Sequence, residues 1–326
     1  MKFISGNERF LFVPPEGIGD NLMFLPVAFT LKKNFPNIFI AFLSNKANGA
    51  SQIIKESKFV DDVIELGFKP RQNINYVKFI LSDYWSLIST IKNYQFDYIL
   101  TINKNLFRNL VTIPFYFKSL VYTNYKLNQI QCYFNTIRPF ANIDNLKLNE
   151  SFFNKKASKR LSSKFELNKK YVVFSPFSHS KSRTIKNYLE LIEILKKEVG
   201  AKYSIVVLGK EEIHHELNNI IDLTNKTSIG ELLEIVAMSS FVIAVDSSIM
   251  HIGIYQDIPT LGIFGSVLAK YRLPSNASYK TFSIDTNSKD CAIESREDYF
   301  NSAIGGLEVN QKKFSKAIKS LIDYEN

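Results

Sequence analysis

Cysteine is nearly absent from this chain. Cys132 and Cys291 are the only two. They lie far apart, form no C-x-x-C, and offer no spacing for a metal or a disulfide framework. A small disulfide-stapled fold is excluded, and a reduced, cytoplasmic setting is expected. Histidine is scarce as well, with four in all. His214 and His215 are adjacent rather than four apart, so they cannot share one helical face on a metal. Asp-x-Asp, the P-loop and the G-x-S-x-G elbow are all missing. The usual signals for a metal-bound diphosphate, a P-loop nucleotidase and an α/β-hydrolase are therefore lacking. No apolar run reaches the roughly 18 residues that span a bilayer. Phe10–Pro15, preceded by Glu8 and Arg9, is too short for a secretory core, so no signal peptide is expected. Attachment to a membrane surface stays open.

What is present is a soluble globular composition, 45% hydrophobic and 22% charged over 326 residues. That length accommodates two domains. The net charge is +10 and unevenly placed. Residues 1–160 carry 21 Lys/Arg and 11 Asp/Glu, whereas residues 161–326 carry 20 of each. The excess belongs to the first half, which favours an acidic partner such as nucleic acid, anionic lipid or a phosphorylated acceptor. The plain alternative is solubility alone. No nucleic-acid-binding motif is recognisable, so no nucleic-acid partner is expected.

Strand-like and helix-like segments alternate. Strands are expected at Arg9–Val13, Ile38–Leu43, Val63–Leu66, Phe96–Ile102 and Lys118–Tyr122. Helices are expected at Asn21–Phe35, Ala47–Glu56, Tyr76–Asn93 and Leu106–Phe117. Pro36 stops the first helix. Residues 141–170 are polar and lysine-rich and break the rhythm, which places a domain boundary near residue 165. The alternation then resumes. Strands are expected at Tyr171–Ser175, Tyr203–Leu208, Ile220–Leu223 and Phe241–Val245. Helices fall at Ile185–Val199, Glu211–Leu217, Ile229–Met238 and Asn310–Tyr324. This pattern implies an α/β protein with two parallel sheets, residues 1–165 and 166–326.

Residues 246–265 carry the strongest local signal. A buried apolar strand ends at Asp246, and Ser247 and Ser248 open a helix that leads to a second apolar run, Pro259–Phe264. Ligands of parallel sheets bind at the carboxyl ends of strands. A helix starting at Ser247 would aim free amides there, which suits a phosphate. His251 lies one turn into that helix, facing back toward the turn. It is either a ligand contact or a packed core histidine.

Two other stretches stand out. Gly17-Ile18-Gly19-Asp20-Asn21-Leu22 begins like a dinucleotide fingerprint, but Leu22 replaces the third glycine. No acid follows the second strand at Leu43-Ser44-Asn45-Lys46, so NAD binding is rejected. A glycine turn allowing close backbone approach remains, with Asp20 as either a helix N-cap or a general base. The loop from Ser175 to Thr184, followed by Lys186, is rich in hydroxyls and cations. It reads as a diphosphate clamp or as a solvated connection.

Together these segments resemble glycosyltransferase family 9, the lipopolysaccharide heptosyltransferases and their relatives. Gly19-Asp20 with Pro26, then Leu31-Lys32 with Pro36, resembles the family's opening motif. Lys186-Asn187-Tyr188 resembles a K-x-W element with Tyr for Trp. Asp246-Ser247-Ser248-Ile249-Met250-His251 resembles D-[ST]-G-x-x-H. Lys226-Thr227-Ser228-Ile229 also falls in order.

The resemblance implies a GT-B fold, two Rossmann-like domains facing across a cleft, with a basic acceptor domain first and a nucleotide-sugar domain second. It implies inverting, metal-independent transfer from a nucleotide-diphosphate sugar, usually ADP-heptose, to a lipopolysaccharide-type or other acidic glycan. No cofactor is implied. It makes Asp20 the base, Lys186 the diphosphate lysine and Asp246 the donor-sugar acid. Ser247, Ser248 and Ile249 become the phosphate-binding amides, and His251 the motif histidine. Gly17, Gly19 and Asn21 fall on the acceptor side. Gly230 stands where heptosyltransferases place a ribose-binding Glu, with Glu231 one residue later. Ser248 replaces a usual Gly. The expected setting is the cytoplasm, at the inner face of the membrane. Two rival readings are a nucleotide-sugar epimerase on the same architecture and a non-catalytic protein that binds anionic surfaces.

Overall fold

The computed structural model describes residues 4–67, 82–102, 106–122, 128–140, 150–154, 163–167, 170–211, 220–265, 267–274, 280–286 and 306–325. The chain divides into two compact units. One holds Met1–Lys147 with Phe152–Asn154, and the other Leu148–Ser151 with Lys155–Asn326.

The first unit alternates β1 (Arg9–Val13), α1 (Ile18–Asn34), β2 (Phe39–Asn45), α2 (Ala50–Lys55) and β3 (Asp62–Leu66). It continues with α3 (Tyr84–Asn93), β4 (Tyr98–Ile102), α4 (Leu106–Thr112), a 3-10 segment at Ile113–Lys118, β5 (Ser119–Tyr122) and α5 (Gln129–Asn135). All strand pairs are parallel, in the order β3-β2-β1-β4-β5. The chain runs outward from β1 to β3, then crosses to β4. The gap between β1 and β4 is therefore the switch point, where such sheets open a crevice.

Helix α1 is buried along its whole middle, Asn21 to Leu31. Phe24 explains why: its ring packs 4.7 Å from Phe12 of the sheet and 4.3 Å from Tyr133 of α5. A helix covered on two sides needs no polar stripe. It starts at Ile18, three residues before the sequence pattern suggests, because its N-cap is Gly17, which carries no capping side chain. Asp20 is therefore a first-turn helical residue and not the N-cap. The expected glycine turn is absent too. Gly17 has φ −70° and extended backbone, and Gly19 lies inside the helix. The helix at Leu106–Phe117 is also corrected. It is α-helical only to Thr112, and Pro114 enters the 3-10 segment that follows.

The second unit holds β6 (Tyr171–Ser175), α6 (Tyr188–Val199), β7 (Ser204–Val207), β8 (Ile220–Asp222) and α7 (Ile229–Met238). It ends with β9 (Val242–Val245), α8 (Ser248–Tyr255), β10 (Thr260–Phe264), β11 (Thr281–Asp285) and α9 (Gln311–Glu325). This sheet is also wholly parallel, ordered β11-β10-β9-β6-β7-β8. Its switch point lies between β6 and β9. Every residue of β6, β9 and β10 is buried, as their unbroken apolar runs imply. Helix α9 covers one face with Phe314, Ile318 and Leu321, all buried. Strand β11 and helix α5 have no counterpart in the sequence reading. Residues 212–217 of the helix expected at Glu211–Leu217, with His214 and His215, lie outside the described residues, as does Cys291.

Among the described residues, no helix is long and apolar enough to cross a membrane, and no group of three or more potential ligands could hold a metal ion.

Candidate functional site

Each unit gathers its unusual polar residues at its own switch point. In the second unit, Asp246 directly follows β9, and the loop Pro176–Asn187 directly follows β6. Asp246 is 5% exposed. Arg183 Nη1 donates to the Asp246 carbonyl at 2.9 Å and to Oδ2 at 3.3 Å. Arg272 Nε stands 3.6 Å from the same Oδ2. His251 Nε2 lies 3.8 Å from Oδ1, just beyond hydrogen-bonding reach. Burial alone would raise the carboxyl's pKa. The charge of Arg272, the adjacent His251 and the charge of Arg183 outweigh it and hold the group well below the usual carboxylate range.

The neighbours are fixed by local bonding. The loop after β6 is stitched rather than open: Ile185 N–H donates to the Pro176 carbonyl, and Ser178 N–H donates to Thr184 Oγ1. A short 3-10 turn, Lys181–Arg183, aims Arg183 inward. Arg272 ends a second 3-10 turn, Ala269–Tyr271, whose first amide donates to Asp285 Oδ1 at 2.8 Å.

Ser247 is the N-cap of α8, but its side chain caps none of the leading amides. Its Oγ is buried and has no hydrogen-bond partner, and neither have His251 Nδ1 and Ser175 Oγ. Buried polar atoms are rarely left unpaired, and each such atom needs an explanation, a missing ligand among them. Ser248 opens the helix and Ile249 follows, buried. Lys186 is exposed, and among the described residues it forms no ion pair. Two cations, Arg183 and Arg272, with a helix N-terminus, thus surround one buried acid. The balance suits an anion such as a diphosphate.

A strap of four residues, Gly306 to Val309, holds the lysine loop. Lys186 N–H donates to the Leu307 carbonyl, and Leu307 N–H returns to Thr184. The buried Asn187 side chain bonds both the carbonyl and the amide of Val309, at 2.9 and 3.1 Å. Gly306 has φ +85°, and a Cβ there would sit 2.8 Å from the Thr184 carbonyl. Only glycine suits that backbone at that distance.

Glu231 is engaged elsewhere. It completes a capping box with Ser228 at the start of α7, and its other oxygen accepts from Lys164. The Lys164 hydrogen bond and the Ser228 amide lower its pKa to about 2. Both carboxylate oxygens are thus satisfied by protein. Gly230 beside it opens onto empty space, with nothing within 4 Å of where a Cβ would be.

In the first unit, Asp20 is half-buried in the first turn of α1. Gln129 Nε2 donates to its Oδ1 at 2.7 Å. Its Oδ2 lies over Gly17, 2.6 Å from where a Cβ would stand, so any larger residue at 17 would push the carboxylate aside. Asn21 is structural. It is buried, donates to the Pro15 and Gly17 carbonyls at 3.0 and 2.8 Å, and accepts from Ser44. It therefore fixes the β1–α1 loop that presents Asp20.

The family model for glycosyltransferase family 9 (heptosyltransferase) matches residues 107–300, more than half of the chain. The chain belongs to glycosyltransferase family 9. The match contains Lys186, Glu231, Asp246 and His251, while Asp20 precedes it. A sequence comparison with curated proteins finds no match.

Solved structures agree on the fold. The glycosyltransferase family 9 protein of Veillonella parvula is similar at 13% identity and a TM-score of 0.70, over 98% of this chain and 99% of that one. The ADP-heptose lipopolysaccharide heptosyltransferase II of Escherichia coli is similar at 12% identity and a TM-score of 0.64, over 97% and 99%. The E. coli heptosyltransferase WaaC, solved with ADP, is similar at 13% identity and a TM-score of 0.60, over 98% and 100%. The fold class is that of GT-B enzymes, with two doubly wound parallel-sheet units.

Within this family 9 enzyme, the sequence reading missed four participants. Gln129 sits on the unforeseen α5, although Asn128, which caps that helix, is a readable start signal. Arg183 was inside the cationic loop but not singled out. Arg272 and the 306–309 strap reach the site only through tertiary folding and leave no local pattern.

Proposed function

We propose that this family 9 enzyme transfers a sugar, with inversion and without a metal, from a nucleotide-diphosphate donor to an acidic glycan or glycolipid acceptor. A heptose donor such as ADP-heptose fits best. ADP and ADP-D-β-D-heptose are bound in structurally similar enzymes, the E. coli heptosyltransferases WaaC and TibC. The observation that carries the reading is the cluster around Asp246. Positive groups and an uncapped helix N-terminus converge there, a combination suited to a diphosphate.

In this scheme an acceptor hydroxyl attacks the anomeric carbon. The bond from that carbon to the diphosphate oxygen breaks, and its electron pair leaves with the diphosphate. Lys186, the α8 amides and the Arg183–Arg272 pair stabilise the charge that grows on the leaving group. The acceptor's proton passes to Asp20. Gln129 occupies Oδ1, which leaves Oδ2 to receive it. Asp246 acts mainly by holding the two guanidiniums, and His251 Nδ1 and Ser247 Oγ are donors or acceptors for the bound donor. The basic first half supports an acidic acceptor. The two cysteines support a cytoplasmic setting.

The test is a nucleotide-release assay with ADP-heptose, run with and without a deacylated lipopolysaccharide core acceptor. The expected result is acceptor-dependent release of ADP and a glycosylated product. Conversion of the donor alone into an isomer would replace this reading with an epimerase. Absence of nucleotide binding by folded protein would remove it.

A further inference from the structure

We infer that Tyr133 is a positioning residue for Asp20. Acting through Gln129, its hydroxyl fixes which carboxylate oxygen is offered to the acceptor. The inference rests on the reading of Asp20 as the base.

Helices α1 and α5 meet as a ladder with two rungs. Asp20 and Phe24 are four residues apart on α1, and Gln129 and Tyr133 are four apart on α5, so each pair shares a helix face. In the polar rung, Gln129 Nε2 donates to Asp20 Oδ1 at 2.7 Å. In the aromatic rung, the Tyr133 and Phe24 rings pack with their centroids 4.3 Å apart. A third contact joins the rungs: the same Gln129 Nε2 donates to the Tyr133 hydroxyl at 3.3 Å. Both protons of one amide nitrogen are thus spent, on acceptors from two different helices.

The terminal torsions of Gln and Asp side chains are soft. One hydrogen bond lets the Gln129 amide swing about its last bond, and a second pins its plane. The opposite orientation would turn Oε1 toward the carboxylate, where acceptor meets acceptor. The pinned amide in turn fixes the plane of the Asp20 carboxyl. Oδ1 is held, and Oδ2 lies over Gly17 with no hydrogen-bond partner among the described residues.

Tyr133 is itself held firmly. It is fully buried, and the Phe24 ring it packs on lies 4.7 Å from Phe12 of β1. Asn128 Oδ1 accepts from the amides of Ile130 and Gln131 and closes the start of α5, which sets the backbone under Gln129. The bond to Tyr133 is the longer of the two made by Gln129, so it orients more than it binds.

Tyr133→Phe keeps the ring and removes the hydroxyl, and it is tested in two ways. The first needs no substrate. The Gln129 side-chain amide is followed by nitrogen–proton NMR of glutamine-labelled full-length protein and identified by its loss in Gln129→Leu. The expected result is two distinct proton resonances, one moved by Asp20→Asn and the other by Tyr133→Phe. The second is a double-mutant cycle on transfer. Tyr133→Phe should lower kcat about threefold with KM unchanged, and Gln129→Leu about tenfold. Adding Tyr133→Phe to Gln129→Leu should cost nothing more.

A Gln129 amide that ignores Tyr133→Phe overturns the proposal. So does a loss of kcat that persists in the Gln129→Leu background, because the hydroxyl then acts through another partner. Should Tyr133→Phe unfold, the wild-type amide decides alone: rapid interchange of its two protons would mean that the second bond is absent. Undiminished turnover in Asp20→Asn removes the base and this proposal with it. Turnover lost in Asp20→Asn but intact in Tyr133→Phe removes this proposal and leaves the base in place.

Discussion

The Gln129 side-chain amide donates a 2.7 Å hydrogen bond to Oδ1 of Asp20. It reaches from α5 to α1 and holds one oxygen of the proposed base while the other stays available. Replacing Asp20 with Asn should lower kcat by at least about 100-fold, the usual scale of general-base loss. Donor affinity, measured by calorimetry, should change less than about threefold. Gln129→Ala should lower kcat by about tenfold and alter the pH profile of kcat/KM, since it repositions the base without removing it. Unchanged turnover in Asp20→Asn would end the assignment.

Asp246 is the buried counter-ion of two arginines. Asp246→Asn keeps the shape but removes the carboxylate that Arg183 and Arg272 share. Breaking such a pair from one side costs about 3 kcal/mol. Thermal melting should show this loss, and added ADP should restore part of it by supplying negative charge. A variant as stable as the parent would mean that the arginines are held by other partners.

Lys186 carries charge to the site without holding the fold. Its side chain is exposed, and only its backbone is bonded to the strap. Lys186→Gln should weaken ADP binding by about tenfold with a melting temperature within about a degree of wild type. Equal affinity in both proteins would place the diphosphate elsewhere.

Glu231 gives a pH-dependent signature. Its folded pKa, about 2, lies below its usual value of 4.5. Its contribution to stability is complete above that usual value and fades as pH falls from about 4.5 toward 2. Glu231→Gln should flatten that segment of the stability profile and lower stability most above about pH 4.5, where the contribution is complete. A parallel slope in both proteins would show the Lys164 contact to be absent in solution. Gly230→Glu, placed beside it in open space, should raise stability by about 0.5–1 kcal/mol through helix propensity. It should also tighten adenine-nucleotide binding if the added carboxylate reaches the ribose.

The sequence was most informative where one residue type dominated a short stretch. The apolar runs of β6, β9 and β10 predict buried parallel strands, and the strands lie there within a residue or two. The Asp246–His251 segment reads as a strand end followed by a helix, and Ser247 is that helix's N-cap. Legibility failed where identity and role part company. Asn21 looks like a site residue, yet its amide is consumed by Pro15, Gly17 and Ser44. Asp20 looks like a cap because Gly17, the actual cap, has no side chain to announce itself. Arg272 acts on an acid far upstream, and no local pattern encodes that distance.

The strap from Gly306 to Val309 has a consequence for how the enzyme breathes. Leu307 gives its amide to Thr184 and its carbonyl to Lys186, so the loop cannot loosen without exposing both. Opening the loop and solvent exchange at the Leu307 amide are one event. A ligand that steadies Lys186 must therefore slow deuterium uptake at Leu307 and at Val309 by a similar factor. The start of α9, immediately beyond, should follow only if the opening unit extends that far.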